Sequence, residues 1–251
     1  MNPRAPAAPP LLVARVGSAR IWCSGAGHGN VGDHVGDDPA TVARNRTALA
    51  ARTDVADPNR WVWVRQVHGA AVFTATGTER APAADAPVAD ATVADAIVAD
   101  AIVTTERGLA LAIVTADCAP LVLASVDAVG VVHAGHRGLA GGVIEAAIAR
   151  LREIGTGDVR AFLGPCIRAA RYEFGAGDLE PLVAQFGPTV EGVTSAGRPA
   201  LDIPAGIRVV LERAGVVSFE DSGICTAGSP GYFSYRRDAA KGRQVTVVAL
   251  P

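Results

Sequence analysis

The chain has 251 residues, 49% of them hydrophobic, and a formal net charge of -2, which is enough apolar material for a sizeable buried core. Binding to a phosphate backbone calls for a clustered basic excess; its lack here excludes a nucleic-acid surface and leaves small molecules as the expected partners. Lys241 is the sole lysine among many arginines, and alanine is abundant, a pattern of coding bias rather than function.

Residues 1–10 are rich in Pro and Ala. They lack the apolar run of a signal peptide and read as a disordered tail. Leu11 to Ile21 alternates as one or two strands, and the Gly-rich run from Gly25 to Gly36 reads as a loop holding His28 and His34 as solvated residues. Pro39 opens a short helix that ends before Pro58. Trp61 to Gln66 alternates as a strand, with His68 just past its end. Val88-Ala-Asp, Val93-Ala-Asp and Val98-Ala-Asp then repeat every five residues. That period fits neither a helix face nor a strand face, so a low-complexity insertion near 81–99 without assigned function is expected.

Leu109 to Thr115 is a continuous apolar run, as in a strand buried on both faces, and Cys118 follows it. Asp117, Pro120 and Asp127 interrupt the apolar stretch from Leu109 to Val132. No membrane span is expected there, and the chain reads as cytoplasmic. Leu121 to Ser125 and Val129 to His133 read as strands, and Gly138 to Ile154 as one amphipathic helix closed by Gly155. Val159 to Leu163 is a further strand, Leu179 to Phe186 and Ile203 to Ala214 are helical, and Val216 to Phe219 is a strand. Phe233 to Asp238 and Gln244 to Leu250 are expected to pair as a C-terminal hairpin around Lys241-Gly242. With no linker between compact halves, residues 11–251 read as a single α/β domain of mixed sheet with covering helices.

Four cysteines, Cys23, Cys118, Cys166 and Cys225, lie far apart without a C-x-x-C pair, so no disulfide framework is expected. Cys166 and Cys225 read as packing residues. His68, Cys118 and His133, each placed just beyond a strand end, can converge if their strands are neighbours. Two imidazoles and a thiolate suit zinc and leave a fourth tetrahedral position open; taken singly, each residue reads more readily as a packed side chain, and it is the three together that favour a site. Gly135-His136-Arg137-Gly138 enters a helix, where free N–H groups favour an anion that Arg137 can bind, unless Arg137 is a plain surface residue. Arg236-Arg237 reads either as an anion site or as a surface pair with Asp238.

Several ordered motifs now accumulate: Gln66-Val-His-Gly, Thr115-Ala-Asp-Cys with Pro120-Leu121 following, His133-Ala-Gly-x-Arg-Gly, Leu163-Gly-Pro and Phe233-Ser-Tyr-Arg-Arg-Asp. From Gly32 to the C-terminus the chain resembles the YfiH, or laccase-domain, family. The resemblance implies a layered α/β fold shared with the cytotoxic necrotizing factor toxins. It also implies zinc on His68, Cys118 and His133, and Arg46 near the substrate. Members are described as purine nucleoside phosphorylases that also deaminate adenosine and cleave methylthioadenosine. The family usually has Trp where His136 stands, which leaves His136 as an outer donor, a fourth ligand or neither. The early Thr-x-Arg-x-Gly-Gly stretch is shortened here to Ser24 through Gly32 without an arginine.

The resemblance leads to a zinc-dependent purine nucleoside phosphorylase acting on adenosine or inosine with phosphate, and on methylthioadenosine, with adenosine deaminase activity. Arg46, Arg137 and Arg236 are its candidates for phosphate or substrate, and Asp117 is a candidate proton carrier beside the metal. The toxins' Cys and His pair offers an alternative in which Cys118 is nucleophile and His133 base, an amidase or peptidoglycan-precursor editing enzyme. A zinc-stabilised partner of cell-envelope machinery is a third reading. Copper polyphenol oxidation is the least favoured: a multicopper oxidase needs a blue-copper and a trinuclear centre, and five histidines are too few.

Overall fold

The computed structural model describes residues 11–78, 97–239 and 242–251. The expected tail at 1–10 and the repeat up to residue 96 lie outside them.

In chain order the elements are β1 (Leu12–Val16), β2 (Ala19–Cys23), α1 (Pro39–Ala50), β3 (Trp61–Trp63), β4 (Val72–Thr74), β5 (Ala101–Thr104), β6 (Ala110–Thr115), β7 (Ala119–Ala124) and β8 (Val129–Ala134). There follow α2 (His136–Ala140), α3 (Val143–Ile154), β9 (Arg160–Leu163), α4 (Ala176–Phe186), β10 (Glu191–Val193), β11 (Pro199–Leu201), α5 (Ile203–Arg213), β12 (Ser218–Asp221), α6 (Tyr235–Asp238) and β13 (Gln244–Ala249). One mixed sheet has the order β1-β2-β13-β6-β3, a second has the order β12-β9-β7-β8-β5-β4, and β10 and β11 form a small ribbon.

The residue pattern explains the layering. In β6, Leu111 and Ile113 face the second sheet, joining Ile21 and Val248 against Ile102, Val122, Val129 and Val131. The alternate residues Ala110, Ala112 and Val114 face outward with Trp22 and Val247, where Leu49 and Ala50 of α1 and Trp61 cover them. The outer face of the second sheet, through Val103, Leu121, Leu123 and Val132, meets Ile144, Ile148 and Leu151 of α3 and Ile207 and Val210 of α5. Strands buried on both faces read as unbroken apolar runs, and β6, β7 and β8 are buried at every position. Each fully buried Leu or Ile contributes about 1.5–3 kcal/mol. The result is helix, sheet, sheet, helix, a mixed α/β architecture.

Three expectations are corrected. The helix expected over 138–154 is two helices, because Gly142 adopts φ 82 and serves as the N-cap of α3, a left-handed conformation that interrupts helix continuity. The C-terminal hairpin does not form. Tyr235–Asp238 is a short helix capped by Ser234, whose side chain accepts from Arg237 N, and β13 inserts antiparallel between β2 and β6. His133 is not beyond a strand end but within β8, opposite Pro120.

Candidate metal centre

β6 belongs to the first sheet and β7 to the second, so residues 116–118 carry the chain from one layer to the other. Asp117 makes this crossing with φ 95, and Cys118 sits at the seam. His133 reaches the seam from β8. His68 comes from the segment after β3, which is stitched to both sheets.

The Gln66 side chain acts as a piece of strand on the first sheet: Nε2 donates to Val114 O at 2.8 Å, and Val114 N donates to Oε1 at 2.9 Å. The second sheet holds the same segment through Asp100, whose carboxylate accepts from the backbone N–H groups of Val67 (3.2 Å), His68 (2.9 Å) and Gly69 (2.7 Å). His68 itself has φ 61, a conformation that costs a non-glycine residue energy and persists only where its surroundings fix it.

The ligand-type atoms of His68, Cys118 and His133 all lie within 4.8 Å of one another, and among the described residues this is the one group of such side chains close enough to share an ion. Two nitrogens and a sulfur about 2.1 and 2.3 Å from a tetrahedral ion would stand about 3.6 Å apart. Cys118 Sγ and His68 Nε2 are 3.8 Å apart, so the donor set fits a soft to borderline cation such as zinc. Burial is graded: His133 is buried, Cys118 half-buried and His68 exposed, which leaves access from the His68 side. The two histidine rings meet edge to face at 4.7 Å. Gly135 is required by close approach, because a Cβ there would lie 3.0 Å from His68 Cδ2 and 3.1 Å from Cys118 Sγ.

Charge organises the cluster further. Burial pushes the Cys118 thiol up, but the His133 and His68 imidazoles outweigh it and bring it down to about 6. Burial lowers His133, while the Cys118 thiolate and the Asp100 carboxylate raise it to about 9. A thiolate beside an imidazolium is thus the favoured metal-free state at neutral pH. By contrast, burial pushes Cys23 and Cys166 up to about 12, in keeping with packing.

The other expected site residues are dispersed around this cluster. Asp117, the expected proton carrier, already has both oxygens engaged: Oδ1 accepts from Thr226 Oγ1 at 2.7 Å, and Oδ2 from Ser234 Oγ at 3.0 Å and Arg236 N at 2.7 Å. Asp100, not Asp117, is the carboxylate in contact with His133, at 2.8 Å from Nδ1. Arg46 is held by Val31 O at 2.9 Å and Asp33 at 3.1 Å and lies over the Trp63 ring at 4.1 Å. Arg137 is exposed at the start of α2. Arg236 donates to Glu173 O at 2.8 Å and lies over the Tyr172 ring at 4.7 Å. His136 stands 3.3 Å from Tyr172 Oη and edge-on to Phe174. Burial, then the Arg137 and His68 charges, lower its pKa. Of the two loop histidines, His34 is exposed, whereas His28 is half-buried, its Nδ1 accepting from Gly25 N.

Residues 23–251 match the family described as multi-copper polyphenol oxidoreductase laccase. The chain belongs to this family, the YfiH or laccase-domain family. A relative from Streptomyces coelicolor named purine nucleoside phosphorylase is 43% identical over 228 residues, covering 88% of this chain and 87% of that protein. The solved structure of Bacillus licheniformis YfiH superposes with a TM-score of 0.80 at 26% identity, covering 93% of each chain. That of Geobacillus stearothermophilus YlmD superposes with a TM-score of 0.77 at 31% identity, covering 92% of this chain and 91% of the other. Among the described residues of this laccase-domain chain, no helix is long and apolar enough to cross a membrane.

Proposed function

We propose that the chain is a purine nucleoside phosphorylase that holds zinc on His68, Cys118 and His133, takes adenosine, inosine and methylthioadenosine with phosphate, and also deaminates adenosine. The observation that carries the reading is the convergence of two imidazoles and a thiolate within 4.8 Å, on a chain 43% identical to a relative of that name. In phosphorolysis a phosphate oxygen forms the bond to ribose C1′ as the bond to the purine nitrogen breaks, and the purine leaves with that electron pair and takes up a proton. In deamination, water adds at C6 of adenine and ammonia leaves. When bound, zinc supplies Lewis-acid stabilisation of negative charge on oxygen.

The chain's own residues supply the rest. Arg137 is exposed two residues after Gly135, where a Cβ would meet both His68 and Cys118, and it is the cation we assign to phosphate. Arg236, over Tyr172 and close enough to His136 to lower its pKa, adds charge on the same rim. Arg46 is a brace between the 31–33 segment and Trp63. Asp117 is a clasp that ties the crossing turn to Thr226, Ser234 and Arg236. Product chromatography of zinc-loaded protein with adenosine, with and without phosphate, tests the reading. Free base with ribose 1-phosphate only in the phosphate tube supports phosphorolysis, and inosine in either tube supports deamination. Unchanged adenosine in both refutes the purine assignment.

One observation favours a second reading. Cys118, brought down to about 6, His133 and Asp100 form a thiolate, imidazole and carboxylate series like that of cysteine amidases. There the thiolate attacks an amide carbonyl, the C–N bond breaks, His133 protonates the departing amine, and water releases the acid. Chelation separates the two: amide turnover persists without metal, and purine turnover does not.

A further inference from the structure

The residue that organises this centre stands in none of the three ligand motifs. We propose that Asp100 is the positioning residue of the metal centre, one buried carboxylate that fixes both histidine ligands, His133 through its ring and His68 through its backbone. This rests on the reading of His68, Cys118 and His133 as a metal site.

Asp100 is fully buried, and a carboxylate in that position is sustained only by strong donors. It has four. Oδ1 accepts from His133 Nδ1 at 2.8 Å and from His68 N at 2.9 Å. Oδ2 accepts from Gly69 N at 2.7 Å and from Val67 N at 3.2 Å. The His133 contact fixes the proton on Nδ1 and leaves Nε2 for the cation, the arrangement by which an outer carboxylate orients a ligating imidazole and raises its basicity. The three backbone contacts wrap the 67–69 turn around the carboxylate and stabilise the φ 61 of His68, which sets the direction from which that ring approaches Cys118. The backbone is fixed too: Asp100 O accepts from His133 N at 2.7 Å, and Asp100 N donates to Ala71 O at 3.0 Å. The first bond continues the antiparallel β5–β8 ladder, in which Ala101 is opposite Val132, and the second continues the parallel β4–β5 pairing, in which Val72 is opposite Ala101, so Asp100 faces His133 by register. A shift of one residue in β5 would break the ring contact and the turn together.

The test compares wild type, Asp100→Asn and His68→Ala. Zinc affinity is read by competition with a chromophoric chelator, cobalt-substituted protein by its thiolate charge-transfer and ligand-field bands, and the fold by melting of the metal-free proteins. An amide cannot accept from all four donors, because its nitrogen must face at least one N–H. Zinc affinity of Asp100→Asn is therefore expected to fall about 10- to 100-fold, with altered cobalt bands, while His68→Ala loses the metal. Wild-type zinc affinity and an unchanged cobalt spectrum in Asp100→Asn would overturn the positioning role. Wild-type protein that takes up no zinc would overturn the metal reading itself, a separate result. Should Asp100→Asn not fold, ring-nitrogen NMR of zinc-loaded wild type decides: a slowly exchanging His133 Nδ1–H supports the role, and a proton on Nε2 ends it.

Discussion

Asp117 is readable in two ways that a graded pair of substitutions separates. As a proton carrier it would lose its function equally in Asp117→Asn and Asp117→Ala. As a clasp it should not, because the two variants leave different bonds behind. An asparagine can turn its nitrogen to the Thr226 hydroxyl, which accepts as well as donates, and keep its oxygen for Ser234 Oγ and Arg236 N. It also tolerates the φ of 95 better than most residues. Three bonds survive as neutral ones, and the expected loss is about 1–2 kcal/mol. Alanine removes all three and leaves the hydroxyls of Thr226 and Ser234, both fully buried, to find other partners. At about 1–3 kcal/mol for each buried group left unmet, and with strain at a positive φ, the loss is about 3–6 kcal/mol. For a chain of this size 1 kcal/mol moves Tm by about 2–4 °C, so Asp117→Ala should melt about 6–24 °C below wild type and Asp117→Asn about 2–8 °C below. Thermal unfolding of the metal-free proteins, with purine turnover at 25 °C, reads both effects. Asp117→Asn should retain most of its turnover. If it melts with the wild type while turnover collapses as completely as in Asp117→Ala, the clasp is refuted and the proton carrier restored.

Gly135→Ala places a Cβ 3.0 Å from His68 Cδ2 and 3.1 Å from Cys118 Sγ, so both side chains must give way. Zinc affinity by chelator competition should drop about tenfold, with no comparable change in the melting of metal-free protein. In chelator-treated protein at neutral pH, iodoacetamide should alkylate Cys118 first, its thiol being brought down to about 6, and leave Cys23 and Cys166, pushed up to about 12, until the chain unfolds; peptide mass mapping checks the order. Arg168 binds Asp221 through two contacts of 2.7 and 2.6 Å. Against the opposing effect of burial, this pairing holds the Asp221 carboxyl below its ordinary value. A depressed carboxyl stabilises the fold above its unfolded pKa of about 3.9 and loses that contribution as pH falls through the folded value. Asp221→Asn should therefore cost about 1–2 kcal/mol at pH 7, a difference in urea unfolding that stays constant to about pH 5 and closes below about pH 4.

What the sequence reveals of this site is set by how each contact is encoded. His68, Cys118 and His133 are legible because His and Cys beside glycines and apolar runs are unusual, and β6 to β8 are legible because strands buried on both faces are dominated by Val, Ile, Leu and Ala. The break at Gly142 and the fate of Phe233 to Asp238 are not. An amphipathic period continues across a two-residue interruption, and Ser234, a helix cap in the structure, is as common in turns as at helix starts. The Gln66 side chain passes for the end of an alternating strand because its bonds replace backbone bonds to Val114. Asp100 is the instructive case. It closes the third Val-Ala-Asp of a repeat whose first two copies lie in a low-complexity stretch, so composition hides it. Val98–Asp100 differs from those copies in leading directly into Ala101-Ile-Val-Thr, a β-branched run that becomes β5. An acid directly before a buried strand must be either solvated at the strand's end or satisfied inside the protein, and only the pairing of β5 with β8 decides which. Register between strands nearly thirty residues apart is a tertiary quantity. Motifs can therefore name the candidate ligands of this centre, whereas the carboxylate that contacts both histidines becomes visible only once the two sheets are assembled.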